Sequence, residues 1–114
     1  MRNIRNPFVS LPFVKRKKMP SGRGYDFWSP AFTVVTEARE QGRRYALSYL
    51  RFEAANALDG RGCVLGFILE DMIDKGDTGP VAKGFLYTIA ETLSYCAMDP
   101  AFLDEVRLRQ GDLS

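Results

Sequence analysis

No histidine occurs among the 114 residues. That removes the commonest general base near neutral pH and the commonest metal-ligating side chain. Ser-His-Asp and Cys-His nucleophile systems are excluded with it. So are zinc sites that draw on His and helical di-iron sites built on Glu-x-x-His. Only two cysteines are present, Cys63 and Cys96, too few for a Cys₄ centre. Each falls near an apolar helical stripe, which fits two buried thiols in a reducing compartment. No apolar run approaches the ~20 residues that span a bilayer. Residues 7–14 are apolar but broken by Pro7 and Pro12, and positive charge follows them, so they do not read as a signal peptide. The expectation is a cytoplasmic protein with no membrane contact, no metal and no organic cofactor.

Acids are missing from one region. The first 25 residues hold Arg2, Arg5, Lys15, Arg16, Lys17, Lys18 and Arg23 and not one Asp or Glu. The other 89 residues carry nine Lys/Arg against 14 Asp/Glu, a net of −5 against +7 in the first segment. A block of like charge cannot pair within itself and usually faces an oppositely charged partner. Eight Phe, five Tyr and one Trp argue against general disorder. A chain of this length is one domain by size and buries roughly two-thirds of its unfolded surface.

Hydropathy and punctuation divide the chain into an extended basic and aromatic arm over 1–30 and a helical domain over 31–114. Prolines 7, 12 and 20 disfavour helix in the arm, and Phe8, Val9, Leu11, Phe13 and Val14 suit a short strand or a strap across the core. The first helix is expected near 36–58, capped by Thr36, with Ala46, Tyr49, Leu50 and Ala57 on its inner face. The second runs near 61–75 with a core stripe of Leu65, Ile68, Leu69, Met72 and Ile73, ending at Lys75-Gly76. The third spans about 80–97, capped by Asp77 or Thr78, with Ala82, Leu86, Ile89, Ala90, Leu93 and Ala97 inward. A short fourth helix starts at Asp99-Pro100, ends near Arg109 and buries Phe102, Leu103 and Val106. The fold class is all-α: a small antiparallel bundle of three longer helices and a short C-terminal one, with the arm in front.

Carboxylates are the remaining catalytic candidates. Glu70, Asp71 and Asp74 cluster on one face of the second helix, opposite its core stripe, and read as a solvated acidic face rather than a cation site. Glu53 tilts toward an apolar face, where a carboxylate either pairs with a cation or a tyrosine hydroxyl, or acts chemically. Arg43 lies ten residues earlier, about 15 Å along the axis, and cannot be its partner. Residues 60–66, Gly-Arg-Gly-Cys-Val-Leu-Gly, miss the dinucleotide spacing by one residue and follow a helix, not a strand. A tight turn plus Gly66 as a close helix contact is the expected role.

The candidate contact residues are therefore Lys15, Arg16, Lys17, Lys18, Arg23, Tyr25, Phe27, Trp28 and Phe67. Four consecutive cations bind phosphate backbones through counterion release, and Tyr25, Phe27 and Trp28 could stack on bases. No recognition-helix turn, RNP sequence or GXXG loop accompanies them. Phe67 projects among Glu70, Asp71 and Asp74 and serves either as a partner anchor or as a seat for the strap.

Residues 42–47 (Gly-Arg-Arg-Tyr-Ala-Leu), 65–72 (Leu-Gly-Phe-Ile-Leu-Glu-Asp-Met) and 84–90 (Gly-Phe-Leu-Tyr-Thr-Ile-Ala) resemble small helical proteins of bacterial chromosomes and prophages. That resemblance covers about residues 42–93 and implies a bacterial or phage setting without supplying catalytic residues. By analogy, small phage-borne domains of this kind include inhibitors of host machinery such as anti-CRISPR proteins. The expected function is non-enzymatic: docking on a protein or nucleoprotein complex. Direct nucleic-acid binding by the arm is the alternative, and a small enzyme using Glu53 or the second-helix acids is the next.

Overall fold

The computed structural model describes residues 7–17, 24–56 and 64–110. Four helices dominate these residues: α1 (Val35–Asn56), α2 (Leu65–Asp74), α3 (Pro80–Ala97) and α4 (Pro100–Arg109). Ahead of them β1 (Lys15–Arg16) pairs antiparallel with β2 (Tyr25–Asp26), Lys15 opposite Asp26 and Arg16 opposite Tyr25. The protein is a small all-α bundle fronted by this two-residue ribbon. The expected end of the first helix and start of the second, including Ala57, Arg61 and Cys63, lie outside the described residues.

Local chemistry accounts for several of the helix ends. Asp99 caps α4 by accepting the Ala101 N–H at 3.0 Å, and Pro100 occupies the first helical position, where its missing N–H costs nothing. α2 runs out at Lys75, and Gly76 follows with φ 64°, a conformation that favours glycine. The start of α3 differs from expectation. Gly79 is its cap, in an extended conformation, and Asp77 instead accepts the Gly79 N–H on Oδ1 at 2.9 Å. The carboxylate thus shapes the turn before the helix rather than the helix end itself.

α1 and α3 pack closely because two glycines let their backbones meet. A Cβ on Gly42 would lie 2.0 Å from the Val81 carbonyl oxygen, and one on Gly84 2.2 Å from that of Arg39. No side chain fits either gap. Gly66 plays no such part: nothing lies within 4 Å of where its Cβ would be.

The core draws heavily on the N-terminal segment. The largest fully buried side chains are Trp28, Phe13, Phe85, Leu11 and Ile68, and three of these five precede α1. The segment is folded into turns, not extended: the Leu11 N–H donates to the Phe8 carbonyl and the Val14 N–H to that of Leu11. These turns, set by Pro7 and Pro12, aim Leu11, Phe13 and Val14 inward. The Phe13 ring lies 5.4 Å from Trp28, 4.9 Å from Tyr45 and 5.7 Å from Phe85, so it joins the segment to both α1 and α3.

That docking shifts the helix faces from their expected positions. On α3, Ala82 and Ile89 are buried as expected, but Phe85 and Gly84 complete the face, while Leu86, Ala90, Leu93 and Ala97 are exposed. α3 turns its aromatic residue toward Trp28 and Phe13, and the stripe of smaller aliphatics is left outside. On α2, Ile68 and Met72 are buried and Leu65 and Leu69 partly so, but Ile73 is exposed. α4 buries nothing: Phe102, Leu103 and Val106 all remain at least a third exposed.

Candidate interaction surface

Two short lengths of chain build this surface: the β1–β2 ribbon and the start of α2. Lys17 N–H donates to the Gly24 carbonyl at 3.0 Å, which extends the ribbon by one rung. Gly24 sits at φ 151°, outside the range most side chains tolerate. Lys15, Arg16 and Lys17 are all exposed on this ribbon. Among the described residues none of the three side chains forms an ion pair. Lys18 and Arg23, which continue the basic run, lie outside the described residues.

A row of aromatic rings leads away from the cations. The Arg16 guanidinium lies 5.9 Å from the centre of the Tyr25 ring, at cation–π range. Tyr25 is 4.9 Å from Phe8, edge to face, and Phe8 is 5.1 Å from Phe27. Phe27 stacks on Phe67 at 5.3 Å with the planes 26° apart. Phe67, on the first turn of α2, is 54% exposed and ends the row. Behind it Phe8 rests against buried Phe52 of α1 at 5.7 Å, which ties the row to the core.

Side chains on α2 and in the turn after it hold the strap in place. Asp71 Oδ2 accepts the Phe27 N–H at 2.8 Å, and Lys75 Nζ pairs with Asp26 Oδ2 at 2.5 Å while also donating to the Trp28 carbonyl. Asp77 Oδ2 accepts the Trp28 indole N–H at 2.7 Å. The strap thus meets α2 and the turn after it through backbone groups, through Asp26 and through the side chains of Phe27 and Trp28, and its cations take no part in these contacts. Glu70 and Asp74 remain exposed on the flank of Phe67, three and seven residues along the same helix.

Of the expected contact residues, the structure brings Arg16, Tyr25, Phe27 and Phe67 into one row with Lys15 and Lys17 at its basic end. Trp28 does not belong to it. Its side chain is fully buried and its only polar atom is bonded to Asp77, so it is a core residue. Phe8 joins the row unexpectedly. Its place in an apolar run was visible, but only the turn at residues 7–10 decides that its ring lies between Tyr25 and Phe27.

Of the candidate carboxylates, Glu53 and Asp71 are engaged structurally, while Glu70 and Asp74 are exposed. Glu53 accepts the Tyr49 hydroxyl on Oε1 at 2.9 Å, the tyrosine pairing expected for a carboxylate on that face. Arg43 is occupied by Glu40, with Nη2 to Oε2 at 2.7 Å. The Arg43 hydrogen bond is the largest influence lowering the Glu40 pKa below 4.5; slight burial opposes it, and the charges of Arg43 and Arg44 reinforce it. Among the described residues no three His, Cys, Asp or Glu side chains stand close enough to hold a metal ion. Cys96 is a half-buried free thiol. Three clefts formed by described residues have volumes of about 270, 310 and 210 Å³ and open broadly to solvent, at or below the small end of ligand pockets. No described helix is long and apolar enough to cross a membrane.

No protein-family model matches this chain, and no curated protein and no solved structure matches it either.

Proposed function

We propose that this protein is a non-enzymatic binding module that docks on a protein or nucleoprotein complex through the ribbon cations and the aromatic row. The observation that carries the reading is the row's two-signed ends. Lys15, Arg16 and Lys17 stand at one end and Glu70 and Asp74 at the other. Aromatic contacts anchor interfaces, and rims of matched charge choose the partner. A protein surface carrying both signs suits this pattern. A nucleic-acid strand suits it less, because phosphates drawn to the cations would meet the acids beside Phe67 as they followed the row. An accessory role in a phage or mobile element, as the resemblance to small prophage proteins implies, is consistent with such a module.

The test is capture of partners from the native host by the full chain, with and without nuclease, beside the variant in which Lys15, Arg16, Lys17 and Lys18 are all Ser. A single-stranded 20-mer is titrated in parallel. We expect a protein partner retained after nuclease, lost in the variant and weakened by salt as the Debye length falls from ~10 Å at 0.1 M to ~3 Å at 1 M. Capture abolished by nuclease, together with salt-dependent binding of the 20-mer, would establish the nucleic-acid reading instead. Undiminished capture by a folded variant would refute both.

A further inference from the structure

The cleft of about 310 Å³ is lined by Ser10, Ser48, Arg51, Phe52, Ala55 and Asn56. Ser10 comes from the turn at residues 7–10 and the others from α1, where Ser48, Arg51, Phe52 and Ala55 follow at helical steps and share one face. Arg51 stands apart from the other arginines of this helix. Arg39 lies over the Tyr87 ring at 4.8 Å, and Arg43 and Arg44 share Glu40. The positions three and four residues from Arg51 are Leu47, Ser48, Ala54 and Ala55, none of them an acid. Among the described residues Arg51 forms no ion pair, and neither the Ser10 nor the Ser48 hydroxyl forms a hydrogen bond within the protein. Asn56 Nδ2 donates to the Phe52 carbonyl at 2.8 Å, which fixes its amide at the end of the helix.

We propose that this cleft binds a phosphate monoester. A guanidinium grips two oxygens of an anion in parallel. A carboxylate or a phosphodiester has only two free oxygens, so the hydroxyls would be left to water. A monoester has three, and at pH 7 it carries a charge of about −1.5 to −2. Arg51 takes two of its oxygens, and the Ser10 and Ser48 hydroxyls take the third. Phe52 and Ala55 add apolar lining that receives the organic group on the ester oxygen. No Asp or Glu lines the cleft to oppose the charge, and Glu53, the nearest acid in sequence, accepts the Tyr49 hydroxyl.

The Arg51 and Ser10 side chains are exposed, so the site is a weak one, with a dissociation constant on the order of 1 mM for a small monoester. A phosphorylated side chain and a small phosphorylated molecule present the same group, and the chemistry of the cleft serves either. Phe52 also rests against Phe8 at 5.7 Å, which puts the cleft at the root of the aromatic row. The site stands whether or not the row binds a protein.

Titration of the isotope-labelled full chain with phenyl phosphate, followed by amide NMR, tests this. Saturable shifts should centre on Ser10, Ser48, Arg51 and Asn56. Benzoate, which lacks the third oxygen and the second charge, should bind about tenfold more weakly. Arg51→Gln should weaken phenyl phosphate about tenfold with unchanged far-ultraviolet circular dichroism. If Arg51→Gln loses helicity, Ser48→Ala is the second probe, because alanine favours helix, and it should weaken binding about threefold. A phosphoserine peptide that binds more tightly than phenyl phosphate identifies a phosphorylated side chain as the source, and the reverse identifies a small molecule. The absence of a saturable shift overturns the proposal, as do shifts confined to Lys15–Lys17. So does benzoate binding as tight as that of phenyl phosphate, or undiminished binding by a folded Arg51→Gln or Ser48→Ala. None of these outcomes bears on the basic–aromatic surface, whose test is separate.

Discussion

The N-terminal segment and α4 invert what their sequences advertise. The segment before α1 is rich in proline and cations and looks like an appendage, yet it supplies Leu11, Phe13 and Trp28, three of the five largest fully buried side chains. α4 carries the clearest helix-start signal in the chain and folds as written, yet it buries no residue. Local signals decide whether a segment can form an element. Whether that element matters to stability depends on what it packs against, and that is a property of the assembled bundle.

The sharpest way to break this comparison is truncation on both sides of it. Trp28→Ala should cost about 3–5 kcal/mol, since it empties a fully enclosed site and frees the Asp77 carboxylate. In a domain whose total stability is on the order of 5–15 kcal/mol, that is a large fraction of the whole. Leu93→Ala, in the exposed stripe, should cost below about 1 kcal/mol. Chemical denaturation midpoints measure both. Similar losses at the two positions would show that the segment is not the core element described.

A smaller contrast separates two helical glycines. Alanine favours helix over glycine by about 1 kcal/mol. At Gly66, exposed and without neighbours, Gly66→Ala should deliver some of that gain. At Gly84 the new methyl would meet the Arg39 carbonyl oxygen at 2.2 Å and force α1 and α3 apart, so overpacking wins and Gly84→Ala should lose about 1–3 kcal/mol net. Stabilisation by Gly84→Ala would mean that the two helices do not cross there.

The smallest expected effect is electrostatic. Glu40 is held below the ordinary glutamate value of 4.5, chiefly by its hydrogen bond to Arg43. A depressed carboxylate adds stability above its unfolded pKa and loses it as pH falls through the folded one. The pair is solvent-screened, so its effect on unfolding is slight, and the titration itself is the measurement. By NMR, Glu40 should titrate below 4.5 in the wild type and move back up in Arg43→Ala. An ordinary wild-type value would show that the pair is not formed in solution.

Much of the surface chemistry was legible one residue at a time. The cluster Lys15–Lys17, the aromatics Tyr25 and Phe27, and Phe67 ringed by acids all stand out in the sequence. Their convergence was not legible. Asp71 reaches a backbone N–H 44 residues away and Asp77 an indole 49 residues away, and no periodicity reports such pairings. Trp28 was misplaced for the same reason: a Trp beside Tyr25 and Phe27 looks like a third member of the patch until its ring is seen between Phe13 and Phe85.

The sequence by itself determined the succession of four helices, the first residues of α3 and α4 at Pro80 and Pro100, the end of α2 at Lys75-Gly76, and that His-dependent chemistry is absent. Those are consequences of caps, proline geometry, glycine stops and composition, which act within a few residues. Only the tertiary structure decided which faces are inside. Leu86 and Leu93 keep helical spacing as good as that of Phe85 and Ile89, but the bundle has room for one face. It turned inward the face on which Gly84 lets α1 approach and Phe85 meets Trp28, because close backbone contact and a large aromatic bury more apolar surface than the aliphatic stripe beside them.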